Sequence, residues 1–227
     1  MKAILLAAGL GTRLRPITDR IPKCLVPIKG IPLLGIWLNS LHKNNIGPYL
    51  INTHYLAEQV EAFITASDFH NSVLLVNETK LLGTAGTLKK NMDFFDGNDG
   101  LLIHADNYCL ANFQEFLDAH RSRPDGCLMT MMTFKTDNPS ECGVVELNKD
   151  NVVISFYEKQ SNPPSNIANG AIYILSKELI DQFKTRFKDA VDFSNEVIPA
   201  LIGQIFAYET KEILIDIGTV KNYTRIK

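Results

Sequence analysis

"KAILLAAGLGTRLRP", residues Lys2–Pro16, joins a short apolar run to a glycine-rich loop that carries two arginines. A continuous apolar run that ends at glycines favours a buried strand followed by a tight turn. The backbone N–H groups of such a turn can face an anion, and an arginine adds a forked donor for phosphate oxygens. The loop by itself leaves two interpretations open: a phosphate-binding loop, and an ordinary strand-end turn with solvated arginines.

The same stretch does not have the form of a secretory signal. Such a signal has a longer apolar core and a small-residue cleavage site, whereas Arg13 and Arg15 follow this apolar run within a few residues. We therefore expect a cytoplasmic protein.

Composition narrows the class of protein. The 227 residues are 45% hydrophobic, enough to bury one sizeable core. The formal net charge of -2 gives no field that would attract nucleic acid or an anionic membrane, and no apolar run approaches the ~20 residues that span a bilayer. The four cysteines form no C-x-x-C pair, so we expect reduced thiols and neither a disulfide framework nor a zinc site.

The order of apolar segments predicts the fold. In the first half we predict strands at residues 3–8, 48–53, 72–78 and 100–106, and helices at residues 32–45, 55–67, 85–95 and 112–121. In the second half we predict strands at residues 127–134, 143–148, 152–159, 170–176 and 212–219, and helices in SKELIDQFKTRF and FSNEVIPALIG. Strands that alternate with helices predict an α/β fold with a mostly parallel sheet covered on both faces.

Two common phosphate loops do not match the opening stretch. The dinucleotide fingerprint G-x-G-x-x-G requires a glycine where Leu14 stands, and the G-K-[ST] of a P-loop does not occur.

A series of further motifs resembles a known family. The opening loop is followed by IPKCLVPIKGIPLL (21–34), LLGTAGTL (81–88), LLIHADN (101–107), ISFYEK (154–159), NGAIYIL (169–175) and IDIGT (215–219). In this order they resemble the sugar-1-phosphate nucleotidylyltransferases over nearly the whole chain. The chain departs from the family pattern at Cys24, Ala105 and Gln160, and none of these changes removes a charged group.

The resemblance implies a three-layer, Rossmann-like nucleotidyltransferase fold with a central mixed, mostly parallel sheet. It implies one domain over residues 1–227, with a nucleotide-binding part at roughly 1–125 and a sugar-binding part at 126–227. No hexapeptide repeats follow IDIGTVKNY, so no acyltransferase domain is expected.

The resemblance also implies transfer of a nucleotidyl group from a nucleoside triphosphate to a sugar-1-phosphate, with release of pyrophosphate. LGTAG most resembles the guanylyltransferases, so GTP and a mannose- or heptose-1-phosphate are the expected substrates. Two alternatives stay open: cytidylyl, uridylyl or thymidylyl transfer to another phosphorylated metabolite, and a non-catalytic nucleotide-sugar sensor. Neither nucleic acid nor a membrane is an expected partner, and homo-oligomer formation is left open.

Roles for individual residues follow from the same resemblance. It implies catalytic roles for Arg13, Lys23, Asp106 and Lys159, and a Mg²⁺ site at Asp106 and Asp216. The implied nucleotide-binding residues are Leu6, Ala8, Gly9, Gly11, Thr12, Arg13, Gly83, Thr84, Ala85 and Gly86. The implied sugar-phosphate-binding residues are Asn107, Glu158, Lys159, Asn169 and Gly170.

Several of these residues have an ordinary structural interpretation as well. Asp106 could form a turn or cap the helix that follows it, and Thr84 or Thr87 could cap the helix after residue 83. Glu158 and Lys159 could be an exposed ion pair of little energetic weight. Asp216 stands in an apolar segment and needs a partner, because a buried unpaired carboxylate is costly.

Overall fold

The computed structural model describes residues 1–226. Its strands are β1 (Lys2–Leu6), β2 (Pro27–Ile28), β3 (Ile31–Pro32), β4 (Tyr49–Thr53), β5 (Val73–Asn77), β6 (Gly100–His104), β7 (Asn107–Cys109), β8 (Met129–Lys135), β9 (Gly143–Leu147), β10 (Val153–Glu158), β11 (Ile167–Leu175), β12 (Ile205–Glu209) and β13 (Leu214–Asp216). Its α-helices are α1 (Leu33–Lys43), α2 (Ala57–Thr65), α3 (Thr84–Asn91), α4 (Phe113–Arg121), α5 (Lys177–Arg186), α6 (Ile198–Ala200) and α7 (Val220–Thr224).

The chain divides into two compact units. The first contains Met1–Leu81, Ile103–Leu110 and the segment from Ile213 onward, and the second contains Leu82–Leu102 and Ala111–Glu212. Strand β6 therefore begins in the second unit and ends in the first.

Parallel strands form the centre of the first unit. Strand β4 pairs in parallel with β1 and with β5, so that Tyr49 lies opposite Ala3 on one side and Val73 on the other. Beyond the end of β6, the N–H of Ala105 donates to the carbonyl of Leu6, 3.0 Å away. The carboxyl ends of parallel strands meet at one edge of a sheet, which is where open α/β sheets bind ligands.

A short antiparallel pair of strands connects two segments of the first unit, the one from Ile213 onward and Ile103–Leu110. Strand β13 runs antiparallel to β7, and Asp216 lies opposite Asn107. Trp37 on α1 is buried and donates from Nε1 to the carbonyl of Asn107 over 2.8 Å. Residues that are far apart in the sequence are thereby fixed beside the end of β6.

Antiparallel strands dominate the second unit. Strand β11 pairs antiparallel with β8 and β9, β10 pairs antiparallel with β9, and β12 pairs in parallel with β8. Aromatic side chains from β11, α5 and the π-helical turn Phe193–Val197 pack together, with the rings of Tyr173 and Phe193 4.8 Å apart.

The predicted fold class is confirmed, since a mixed, mostly parallel central sheet is combined with helices. The division of roles between residues 1–125 and 126–227 stays a prediction. None of the helices between residues 1 and 226 combines the length and the apolar character that crossing a bilayer requires.

Some predicted elements differ from the structure. Strand β12 was not predicted. The helix expected in FSNEVIPALIG is a π-helical turn followed by the short α6, because Pro199 has no N–H to donate within a longer helix. The strand expected at residues 212–219 is confined to Leu214–Asp216, since the side chain of Asp216 turns to accept the N–H of Gly218.

A buried histidine in the second unit makes stability depend on pH. His120 is 2% exposed, its Nδ1 lies 2.7 Å from Thr130 Oγ1, and its Nε2 lies 3.3 Å from Asp99 Oδ2. Burial lowers the pKa of His120 despite the nearby Asp99 carboxylate. Below about pH 6.5 the unfolded chain then binds more protons than the folded chain, and acidification costs stability.

We predict that the free energy of unfolding falls as the pH is lowered from about 7 to about 5, with a slope of up to ~1.4 kcal/mol per pH unit. The His120→Gln variant should have a shallower slope, and His70→Gln, at an exposed position, should keep the wild-type slope. Urea unfolding at several pH values measures this. An unchanged slope in His120→Gln would show that His120 is not the responsible group.

Candidate active site

One lysine in the first unit binds two aspartates. Lys23 Nζ donates to Asp106 Oδ2 over 2.7 Å and to Asp216 Oδ1 over 3.2 Å. The lysine side chain is 7% exposed, whereas those of Asp106 and Asp216 are 40% and 43% exposed. The ammonium is thus buried, and both carboxylates reach the surface.

Local sequence explains where these three groups lie. Pro22 is extended and is followed by the 3₁₀ turn Lys23–Leu25. Asp106 comes two residues after β6, and Asp216 is the last residue of β13. Cys24 is buried, and burial raises the pKa of its thiol to about 12, so this cysteine remains protonated and is not a candidate nucleophile.

Lys23 and Asp106 keep each other ionised. Burial alone would lower the pKa of Lys23, but the carboxylates of Asp106 and Asp216 raise it above its ordinary value. Burial alone would raise the pKa of Asp106, but the Lys23 ammonium lowers it below its ordinary value. The buried ammonium of Lys23 and the carboxylate of Asp106 are therefore both charged at neutral pH.

Arg13 adds a second cation beside Asp216. Its Nη2 lies 3.5 Å from Asp216 Oδ2, and its side chain is 60% exposed. Arg13 belongs to the 3₁₀ turn Thr12–Leu14, which is anchored by the buried Leu14. Gly218 leaves room for this contact, because a Cβ there would lie 2.9 Å from Arg13 Nη2 and 2.8 Å from Asp216 Oδ1.

The glycine-rich loop packs against Thr18 at Gly11. Gly11 has φ 64°, and a Cβ at this residue would lie 2.8 Å from the Cγ2 of Thr18. The hydroxyl of Thr18 donates to the carbonyl of Gly11 over 2.7 Å. Ahead of this turn Leu6 and Ala8 are buried, and Thr12 begins the 3₁₀ turn.

Two buried polar residues at the start of this loop were not predicted. The N–H of Ala7 donates to Asn52 Oδ1 over 2.8 Å, and Asn52 Nδ2 donates to Glu78 Oε1 over 2.9 Å. Asn52 and Glu78 are each 3% exposed. The signal that could have found them is a polar residue at the end of each of two apolar strands, β4 and β5.

The interpretation of Asp106 as a helix cap is wrong. Asn112 caps α4, where its Oδ1 accepts the N–H groups of Gln114 and Glu115. The two oxygens of Asp106 are thus not used at a helix end, and one of them binds Lys23.

In the second unit, residues 83–86 form the N-cap and the first turn of α3, not a loop, and they are bound to another segment of the same unit. The N–H groups of Ala85 and Gly86 both donate to the carbonyl of Val191, over 2.9 and 3.4 Å. These two N–H groups are therefore not free to contact a nucleotide. A Cβ on Gly83 would lie 2.4 Å from the Val191 carbonyl oxygen, which explains the glycine.

The helix-cap interpretation of the threonines also fails at Thr84. Gly83 occupies the N-cap position of α3, and the Thr84 hydroxyl accepts the N–H of Phe193 over 2.7 Å.

Four of the five predicted sugar-phosphate-binding residues lie at a strand end or in a bulge of the second unit, whereas Asn107 lies in the first unit. Lys159 Nζ lies 3.3 Å from Glu158 Oε1, with the two side chains 59% and 25% exposed. Asn169 Nδ2 donates to the hydroxyl of Tyr173 over 2.8 Å, and Asn169 Oδ1 accepts the N–H of Ala171 over 2.9 Å. These contacts hold a bulge in β11 that includes Gly170.

The predicted residues therefore form two sets. The first unit brings together Arg13, Lys23, Asp106 and Asp216, and it also contains Leu6, Ala8, Gly9, Gly11, Thr12 and Asn107. The second unit contains Gly83, Thr84, Ala85, Gly86, Glu158, Lys159, Asn169 and Gly170. The individual roles assigned to these residues stay predictions.

Comparison with protein families agrees with the motif series. The family model described as Nucleotidyl transferase matches residues 2–227. The chain belongs to the nucleotidyl transferase family. This confirms the resemblance that the motifs indicated.

Curated relatives and solved structures extend the comparison. A provisionally named mannose-1-phosphate guanyltransferase of Sulfolobus acidocaldarius is 30% identical over all of this chain, which spans 62% of that relative's length. HddC of Yersinia pseudotuberculosis, solved in complex with GMP-PN, has a TM-score of 0.83 at 26% identity and covers 99% of this chain and 97% of its own. A provisionally named glucose-1-phosphate thymidylyltransferase of Bacillus anthracis, in complex with a sucrose, also has a TM-score of 0.83, at 22% identity, over 100% of this chain and 93% of its own.

The two aspartates fit the divalent ion that this family implies. Both present an oxygen to the same Lys23 nitrogen, so both carboxylates can reach one cation. Within the part of the chain that the structure describes, no three His, Cys, Asp or Glu side chains converge on a point. Mg²⁺ is commonly held by one or two carboxylates together with substrate phosphates, so a pair is sufficient.

We predict that Gly218→Ala lowers turnover at least about tenfold, because the added methyl group displaces Arg13 or Asp216 and misaligned groups are costly in phosphoryl-type transfer. The midpoint of unfolding should change little. Gly35→Ala in α1 is the matched control, since its Cβ would meet only side-chain atoms, with the end of the Phe63 ring 3.3 Å away and Ile31 Cγ2 3.9 Å away. Equal turnover in both variants would contradict this account of Gly218.

Proposed function

We propose that the chain transfers a nucleotidyl group from a nucleoside triphosphate to a sugar-1-phosphate and releases pyrophosphate. The observation that carries this proposal is the cluster of two cations and two carboxylates formed by Arg13, Lys23, Asp106 and Asp216. Membership of the nucleotidyl transferase family supports it.

The proposed reaction depends more on neutralising the negative charge of the phosphates than on proton transfer. A phosphate oxygen of the sugar-1-phosphate attacks the α-phosphorus and forms the new P–O bond. The bond from the α-phosphorus to the bridging oxygen breaks, and its electron pair leaves with pyrophosphate. Because the attacking phosphate is already ionised near neutral pH, no general base is required, and catalysis depends on alignment and on neutralising negative charge.

The predicted cations and most of the predicted sugar-side residues have a task in this scheme. Arg13 stabilises the leaving pyrophosphate, and its exposed guanidinium is free to turn toward it. Lys23 contacts the phosphates at the reacting centre. Lys159 binds the phosphate of the sugar, Glu158 accepts hydrogen bonds from sugar hydroxyls, and Asn169 and Gly170 line the sugar.

Asp106 and Asp216 are the proposed ligands of Mg²⁺. When bound, this ion neutralises developing charge on phosphate oxygens. Both side chains are partly exposed, so their carboxylates lie at the surface and not in the interior.

We infer GTP and a mannose- or heptose-1-phosphate as the substrates. The name of the curated relative from Sulfolobus acidocaldarius supports guanylyl transfer to mannose-1-phosphate. The guanosine nucleotide in the complex of HddC supports the same base. The likeness to the Bacillus anthracis protein, at 22% identity, concerns the fold alone.

A substrate panel tests the proposal. We expect pyrophosphate release with Mg²⁺ to be fastest for GTP with mannose- or heptose-1-phosphate, compared with ATP, CTP, UTP and dTTP on the same acceptors. Asp106→Asn should keep the fold and lose at least about a hundredfold in turnover. Faster release with another triphosphate would overturn the choice of base. Ligand-dependent stabilisation without any release would favour a sensor over an enzyme.

A second prediction separates the role of Arg13 from sugar binding. Arg13→Ala should lower kcat by about a hundredfold with little change in the KM for the sugar-1-phosphate, because the contact strengthens as the leaving group gains charge. Arg15→Ala is the matched control, since Arg15 is an exposed residue that pairs with Asp19 at 3.1 Å. A raised KM with an unchanged kcat would move Arg13 to the sugar side.

A further inference from the structure

The charges of the candidate site are balanced before any substrate arrives. Asp106 and Asp216 carry two negative charges, and Lys23 and Arg13 carry two positive charges within 3.5 Å of them. A small divalent cation would therefore meet a cluster with no net negative charge. Magnesium also gives up its water ligands reluctantly, so a neutralised pair of carboxylates offers it little.

Lys23 is the more important of the two cations. It contacts both carboxylates through the same nitrogen, and it is 7% exposed, whereas Arg13 contacts one carboxylate and is 60% exposed. Lys23 Nζ lies between Asp106 Oδ2 and Asp216 Oδ1, so a metal ion that bridged these two oxygens would have to displace the ammonium. The ammonium and the metal are thus competitors for one pair of ligands.

We propose that Lys23 is an internal counter-ion that keeps Asp106 and Asp216 closed to a divalent cation until nucleotide phosphates take the ammonium over. Lys23 has a flexible four-carbon stem, so its nitrogen can turn from a carboxylate to a phosphate oxygen without movement of the backbone. The release by nucleotide rests on the proposed function; the competition with metal does not.

This arrangement makes metal and nucleotide binding cooperative. Phosphates that attract Lys23 and Arg13 free two carboxylates, and the metal ion in turn favours the phosphates. The free protein should then hold the metal weakly, and the metal should enter with the triphosphate. Binding couplings of this kind are typically about 5- to 150-fold.

The test measures metal binding to the whole chain in the absence of any nucleotide. Mn²⁺ is the probe, and free Mn²⁺ is followed by electron paramagnetic resonance. We expect Lys23→Met to bind Mn²⁺ at least about tenfold more tightly than the wild type. Lys23→Arg, which keeps the positive charge, should bind as weakly as the wild type. Lys29→Met, in an exposed turn, is the control for loss of a lysine elsewhere.

A double variant tests whether the tighter Mn²⁺ site of Lys23→Met includes Asp216. Lys23→Met combined with Asp216→Asn should lose the tighter binding, because one of the two carboxylate ligands is gone. Equal Mn²⁺ affinity in Lys23→Met and wild type, or a gain that survives in the double variant, would overturn the proposal. If Lys23→Met does not fold, the wild type decides: Mn²⁺ binding at micromolar concentrations without nucleotide would also overturn it. None of these measurements uses a sugar phosphate or a turnover assay, so their outcome is independent of the transfer reaction.

Discussion

A buried ammonium between two carboxylates is the interaction on which the candidate site depends. Moving a lysine out of water is unfavourable unless its charge is paired, so the burial of Lys23 requires Asp106 and Asp216 to be in place. The turn after Pro22, the end of β6 and the short strand β13 must therefore all be formed for Lys23 to be stable where it lies. The same requirement brings the candidate phosphate and metal ligands to one point.

Neighbouring residues also restrict the position of this charged cluster. The hydrogen bonds from Ala7 to Asn52 and from Asn52 to Glu78 tie together the ends of β1, β4 and β5, where the glycine-rich loop begins. Gly218 leaves space for the guanidinium of Arg13. These neighbours do not carry the proposed chemistry, but they restrict where the charged groups can lie. Preorganised charges of this kind make the largest contribution to transition-state stabilisation in many enzymes that act on phosphates.

Local patterns in the sequence were sufficient for most strands and helices and for the confirmed family. They were not sufficient for pairings between distant segments. The pairing of β13 with β7, which places Asp216 beside Asn107, leaves no periodic signal in either segment. The hydrogen bonds from the N–H groups of Ala85 and Gly86 to the carbonyl of Val191 were missed for the same reason, because the sequence around the start of α3 does not indicate a distant partner. The motif resemblance implied one Mg²⁺ site at Asp106 and Asp216 and a separate role for Lys23, and the structure adds that the Lys23 nitrogen contacts both carboxylates.

The most direct test of this account is a double-mutant cycle on Lys23 and Asp216 in metal-free buffer with a chelator. The free energy of unfolding is measured for the wild type, Lys23→Met, Asp216→Asn and the double variant. We expect the two substitutions to be coupled by at least about 1 kcal/mol, because each removes the partner of the other. Effects that add to within about 0.5 kcal/mol would mean that the two side chains do not interact, and would contradict this account.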